Sequence, residues 1–474
     1  MNENHQRVTL LATSISFGLV ILDTSIVNVA LESIARDLAT GITGLQWIVT
    51  GYVVVFASLV LSGGALGDIY GARRIYLIGL VIFMAASLVS GLAPSISALI
   101  AGRILQGVGA ALLVPCALSL ITDAYPDNGM RAKAIALWAA CGGVAQVLGP
   151  LVGGLLLALF DWRSIFFVNV PICLAGIWLT LNIDGQTIDR GGRRLDVPGQ
   201  LCAAFAMILL IAALIEAREF GWSHRGILAA IALSALSALS FAIIERRSKS
   251  PMLPISLFRN PVFSWIVFTV LAGWAAFFGM LFVMNLYFLQ GAGYTPLQTA
   301  LAMAPLALFA TAGNLISSRL ARVIHPMRLM LAGQAIRLVG FAGIAVASRG
   351  FSYPLLALPL LLVGLGGGLG SPMATTVILS TIDKGYAGIA SGVSTAAGQL
   401  GAAIGVAIFG AFLADPDRIA EGARIAATIS TASAGLAILI IWLVARHPPA
   451  KVSPALTRPA PGPPACRAPL KAQD

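Results

Sequence analysis

Long apolar runs separated by short polar breaks dominate the chain, and the runs set the first expectations. The first extends from Val8 to Leu31, about 24 residues. A bilayer is crossed by a helix of roughly 20. Thirteen more runs follow, near 47–66, 75–92, 96–122, 134–158, 164–182, 198–216, 226–244, 262–289, 298–318, 329–348, 355–381, 387–413 and 425–445. The pattern predicts an all-α polytopic membrane protein with fourteen transmembrane helices. The first run is too long for a signal peptide and lacks a small-residue cleavage site, so it is expected to stay as a span.

Composition agrees. Of 474 residues, 58% are hydrophobic and 10% charged, with a mean hydropathy of +0.91; a soluble domain is about a quarter charged. In such a chain the net charge of +11 reads as a topology signal and not as affinity for nucleic acid. With the N-terminus inside, 21 Lys and Arg fall in inner segments and 7 in outer ones. That asymmetry predicts a multi-pass protein of a bacterial-type inner (plasma) membrane with both termini cytoplasmic. The five cysteines show no paired spacing and the four histidines are scattered, so neither a metal nor a disulfide framework is expected. No GxxxxGK[ST] phosphate loop occurs, which argues against an ATP-driven pump. No cofactor and no enzymatic activity are expected. The tail 447–474 is proline-rich and expected to be disordered.

One residue breaks the apolar pattern of the first run. Asp23 stands in "GLVILDTSIVNVAL", where a charge costs about 2.5–3.5 kcal/mol even on the lenient insertion scale. On a helical wheel Thr9, Thr13, Ser16, Asp23, Thr24 and Asn28 fall within an arc of about 140°. Such a stripe should face the protein interior or a watery cavity. Asp23 is then either a structural, hydrogen-bonded aspartate or a carboxylate that takes up and releases a proton. Its natural partner is Arg103, at a similar depth in the fourth run. Arg103, Gln106, Gly107 and Ala110 share a face on which another backbone can approach closely. A pair that forms in one conformation and breaks in another couples protonation to shape.

Several motifs now make the chain recognisable. "GRILQGVGAA" resembles the fourth-helix motif of proton-coupled major facilitator transporters, with Arg103, Gln106, Gly107 and Gly109 in place. "GALGDIYGARR" is similar to that superfamily's loop motif in Gly64, Leu66, Asp68, Gly71 and Arg73; Ile69 and Ala72 replace its usual basic residues. "LGPLVGG", with Gly149, Pro150, Gly153 and Gly154, resembles the fifth-helix motif of the antiporter branch, although Ala136 and Ala145 stand at its upstream glycine positions. "LDTSIVNVAL", "DWRSIFFVNVPI" and "GIASGVSTAAGQLGAAIGVAIFG" narrow the resemblance to the fourteen-span drug:proton antiporters of the EmrB/QacA type, over about Leu19 to Phe412. Glu32 replaces that family's usual proline.

The resemblance implies two six-helix bundles, 1–182 and 245–446, with two inserted helices in 183–244, ahead of the tail. It implies proton coupling through Asp23 and Arg103, and a conformational latch at Gly64, Asp68, Gly71, Arg73 and Asp123. By their chemistry, Asp68, Arg73 and Asp123 make either an ion network or an ordinary polar inner loop. Gly142, Gln146, Gly149 and Gly153 share a face of the fifth helix and Pro150 bends it, which suits a gate and equally suits a tight helix pair. In the ninth helix Trp274, Phe277, Phe278, Leu281, Asn285 and Phe288 cluster on one face. They read either as packing or as the wall for a flat lipophilic guest; the resemblance favours the cavity. Asn28, Gln146, Asn314 and Gln399 are further cavity candidates.

Arg337 sits in the middle of the eleventh run. It either bonds backbone carbonyls or an acid such as Glu216, or draws an anionic substrate group inward. With no second buried carboxylate in the C-terminal half, neutral, monocationic or anionic compounds are expected over dications. The leading function is proton-coupled export of hydrophobic drugs or antibiotics across the cytoplasmic membrane by alternating access. A dedicated exporter of one natural product or metabolite is the alternative, and a non-transporting membrane sensor the third reading. The implied partners are a small lipophilic substrate, protons and the bilayer, for a monomer; a periplasmic adaptor is compatible with this type.

Overall fold

A computed structural model describes residues 3–183, 196–248, 253, 255–348, 352–382, 387–413 and 418–446. The basic linker "DRGGRRLD" and the proline-rich tail fall largely or wholly outside these residues. Among the described residues, fourteen helices are long and apolar enough to cross a membrane. In the first half they are α1 (Asn4–Asp37), α2 (Ile42–Tyr70), α3 (Ala72–Gly91), α4 (Ile96–Ala124), α5 (Lys133–Leu159) and α6 (Ser164–Leu181). The insert holds α7 (Val197–Phe220) and α8 (Arg225–Arg247). The second half holds α9 (Pro261–Gly291), α10 (Pro296–Leu320), α11 (Pro326–Ala347), α12 (Tyr353–Ser380), α13 (Ile389–Ala411) and α14 (Ile419–Arg446). Strands are absent among the described residues.

Every predicted span is present, and most are longer than their apolar runs. Polar side chains at a run's edge do not stop a helix; caps and turns do. At α10 the Thr295 hydroxyl accepts from the Gln298 amide while the Gln298 side chain accepts from the Thr295 N–H, a reciprocal cap. Proline opens α9, α10 and α11 at a position whose N–H would lack a partner anyway. Between α2 and α3 a single residue makes the turn: Gly71 has φ +93°, a conformation L side chains rarely adopt.

The two halves repeat one another. In the first, α1 packs on α5, α2 on α4, α3 on α4, and α6 on α1 and α3. Each of these pairs recurs eight helices later, as α9 with α13, α10 with α12, α11 with α12, and α14 with α9 and α11. Close approach recurs too. A Cβ on Gly63 in α2 would overlap the Ala111 carbonyl of α4, and one on Gly364 in α12 would overlap the Leu306 carbonyl of α10. Small residues do in lipid what water exclusion cannot, letting backbones approach closely.

The bundles meet along α2–α13 and α5–α10. Gln46 donates across the first seam to the carbonyls of Val406 (2.9 Å) and Ala407 (2.8 Å). Thr311 donates across the second to the Gly143 carbonyl, 3.3 Å. At the end opposite the chain termini one apolar cluster runs through both bundles, from Ile26, Ile34 and Leu45 to Met280, Phe288 and Leu306. At the terminal end the second bundle has its own cluster around Phe263, Met330 and Ile441. The molecule is closed at the end away from its termini. Helix α7 lies against both α2 and α13, while α8 packs chiefly on α7 and buries little of itself.

Candidate functional site

A polar knot fills the centre of the first bundle. Asp23 in α1 is fully buried and Arg103 in α4 is 1% exposed. Arg103 Nη1 donates to Asp23 Oδ2 at 2.5 Å. The other carboxylate oxygen accepts from Gln106 Nε2 (3.1 Å) and from Asn169 Nδ2 (2.8 Å). Both amides also donate to the Ser87 hydroxyl, at 2.8 and 3.3 Å. Arg103 further donates to the Ile48 carbonyl (3.1 Å) and to Gln106 Oε1 (2.8 Å), and its guanidinium lies 4.5 Å from the centre of the Tyr52 ring. Five helices therefore converge on one ion pair. Burying both charges costs several kcal/mol per ion, which mutual attraction offsets only with such complete hydrogen bonding.

Asp23 and Arg103, expected to pair, are paired. The polar stripe around Asp23, however, divides. Asp23 faces the interior of its own bundle, whereas Asn28, 140° further round the same helix by the 100° rule, lines a small cleft on the seam with Ser25, Gln146, Pro150 and Asn285. Ser87, Tyr52 and Asn169 complete the knot without having been singled out. An amide or a hydroxyl in an apolar run carries too small an insertion cost to stand out.

At the α2–α3 turn the expected ion network takes a different form. Arg73 does not pair with Asp68 or Asp123; it donates to the carbonyls of Thr180 (3.1 Å) and Leu181 (2.9 Å) at the end of α6. The carbonyls left unpaired at a helix C-terminus attract a cation, and α3 packs beside α6. Asp68 and Asp123 are exposed at the ends of α2 and α4. A Cβ on Gly64 would meet Pro115 at 3.5 Å, an ordinary contact.

The fifth-helix glycines press against neighbours. Gly142 faces the Phe17 ring, Gly149 faces Ser25 and Gly153 faces Ile26, all in α1, while Gly154 meets Leu297 of α10. The motif thus joins α1 to the seam.

A cavity of about 190 Å³, lined mainly by the second bundle and bounded by Gln146 of α5, lies in the middle and terminal half of the spans. Trp274 and Phe278 stack at 5.2 Å on one side, with Phe277 edge-on to Phe278 at 5.3 Å. Gln146 and Asn314 line it as expected; Gln399 lines neither this cavity nor the seam cleft. Phe288 packs elsewhere, among Tyr287, Tyr294 and Tyr353. The cavity also holds Gln334 and Arg337 of α11. Arg337 is not joined to Glu216, which instead accepts from Trp47 at 2.7 Å. Arg337 donates to the Gly273 carbonyl at 2.6 Å and lies 5.5 Å from the Phe341 ring centre. Among the described residues, no acid lines the cavity.

A family model described as Major Facilitator Superfamily matches residues 13–406. The chain is 34% identical over 435 residues to the methylenomycin A resistance protein of Bacillus subtilis, covering 92% of this chain and 93% of that protein. It is 35% identical over 412 residues to the multidrug resistance protein Stp of Mycobacterium tuberculosis, covering 86% and 76%. The cephamycin export protein CmcT of Amycolatopsis lactamdurans matches at 34% over 450 residues, covering 94% and 91%. Among solved structures, a D-xylose-proton symporter superposes with a TM-score of 0.66 at 14% identity, covering 92% of this chain and 97% of that one. A peptide transporter does so with 0.68 at 16%, covering 92% and 94%.

Proposed function

This chain belongs to the Major Facilitator Superfamily, and we propose that it is a proton-coupled antiporter that exports hydrophobic drugs or antibiotics by alternating access. The observation that carries the reading is the buried Asp23–Arg103 knot in one bundle beside an aromatic cavity in the other. With its termini in the cytoplasm, the protein is here closed to the outside. Asp23 accepts three donors in this state, from Arg103, Gln106 and Asn169. A proton arriving at Asp23 removes the charge that Arg103 faces and weakens the tie among α1, α3, α4 and α6. Because α1 also carries Ser25 and Ile26 against the α5 glycines, a shift of α1 is felt at the seam. Gly64, Asp68, Gly71, Arg73 and Asp123 act as the latch on the inner side, with Gly149, Pro150, Gly153 and Gly154 as the gating face. Asn28, Gln146, Trp274, Phe278, Asn285 and Asn314 contact the substrate.

The test is a drug-susceptibility panel in an efflux-deficient bacterial host, with export measured with and without a protonophore. The intact protein should protect against several apolar compounds, and Asp23→Asn, expressed to the same level, should lose protonophore-sensitive export. Normal pumping against a gradient by Asp23→Asn would remove the carboxylate from the coupling role. The similarity to a cephamycin export protein supports a second reading, a dedicated exporter of one natural product; protection against a single compound in the same panel favours it.

A further inference from the structure

The second bundle repeats the first, but its central cation has no acid. The polar knot of the first bundle lies among α1, α2, α3, α4 and α6, which correspond to α9, α10, α11, α12 and α14. The buried cation among those helices is Arg337, carried by α11, the counterpart of α3, and not by α12, the counterpart of the helix that carries Arg103; it is 7% exposed and lies between Gly273 of α9 and Gly366 of α12. Gln334 accompanies it one turn away, as Gln106 accompanies Arg103. The two arginines differ in what they face. Arg103 has Asp23, a carbonyl and an amide oxygen. Arg337 has a single carbonyl acceptor; its Nε is buried without a partner, and it makes no ion pair among the described residues. A buried cation missing its counter-charge is costly, and this one opens on the aromatic cavity.

We propose that Arg337, helped by Gln334, receives a carboxylate group of the transported molecule, so that the favoured substrates are flat apolar bodies bearing one anionic group. This rests on the export reading. The guest would bring the acid that Arg337 lacks, and its ring system would lie along Trp274, Phe277 and Phe278. Gly273 keeps the approach open: a Cβ there would stand 3.1 Å from Arg337 Nη1 and 3.8 Å from Gln334 Nε2. A guanidinium suits this role because it meets a carboxylate with two parallel N–H groups and stays charged when buried.

A matched pair of probes tests the idea: naphthalene-1-carboxylate and its neutral amide, at pH 7. Binding to the purified full-length protein in detergent is read by ligand-induced thermal stabilisation and by equilibrium titration. The acid is expected to bind at least tenfold more tightly than the amide. Arg337→Gln should erase that difference and Arg337→Lys retain part of it. Gly273→Val, which leaves the charge in place but covers it, should also reduce it. Equal binding of acid and amide by the unaltered protein, binding of neither, or a preference that survives in Arg337→Gln would each overturn the proposal. Should Arg337→Gln fail to fold, the wild-type comparison and Gly273→Val still decide. Asp23→Asn separates the two readings. If it keeps the Arg337-dependent preference and wild-type export ignores the proton gradient, the proton-coupling reading fails while the anion site stands.

Discussion

At the scale of single residues, the protein is governed by what a buried charge is given to bond. Arg103→Ala leaves Asp23 without its counter-charge, a loss of about 3–5 kcal/mol for a buried pair; thermal unfolding in detergent should show a markedly lowered midpoint. The double variant Asp23→Asn with Arg103→Gln removes both charges and is expected to recover much of that stability without recovering coupled export. If the double variant is as unstable as the sum of the singles, the pair is not interacting as the geometry requires. The pair was legible in the sequence because each charge interrupts an apolar run at similar depth, and such interruptions are costly. The position of Arg337 was legible only as a question. Its depth could be read, but not which way its helix turns it, because that depends on how α11 packs against α9 and α12.

At the scale of helices, the number and order of spans follow from the apolar runs. Their true ends follow from caps such as Thr295 and turns such as Gly71, which run-length hides. Close helix contact was only half legible. Glycine spacing marks a smooth face but not its neighbour: Gly142, Gly149 and Gly153 meet Phe17, Ser25 and Ile26 of α1, whereas Gly154, about 100° further round the helix, meets Leu297 of α10. Gly149→Val drives a side chain into Ser25 and Ile26 and is expected to slow export or lower folded yield. Gly41→Ala, at a position where a Cβ meets nothing within 4 Å, should leave transport unchanged; equal damage from the two would mean that the α1–α5 contact is not what limits transport. At the α2–α3 turn, Asp68→Asn is expected to slow turnover with substrate affinity nearly unaltered. Weak binding at normal turnover would place Asp68 at the substrate and not at a latch.

At the scale of the whole molecule, the repeat of helix contacts and the two seams define how the bundles move. The closure at the end away from the termini brings Gly154 against Leu297. In a background lacking the native cysteines, the pair Gly154→Cys and Leu297→Cys should cross-link in the resting protein and stop export, with reduction restoring it. Transport that continues in the cross-linked protein would show that this end need not part. The two seams differ in one further respect. Helix α7 lies over the α2–α13 seam, with Glu216 held by Trp47, and no inserted helix lies on the α5–α10 seam among the described residues. A compound dissolved in the lipid thus meets a shuttered wall on one flank of the protein and a bare joint on the other, so the molecule has a front and a back within the plane of the membrane.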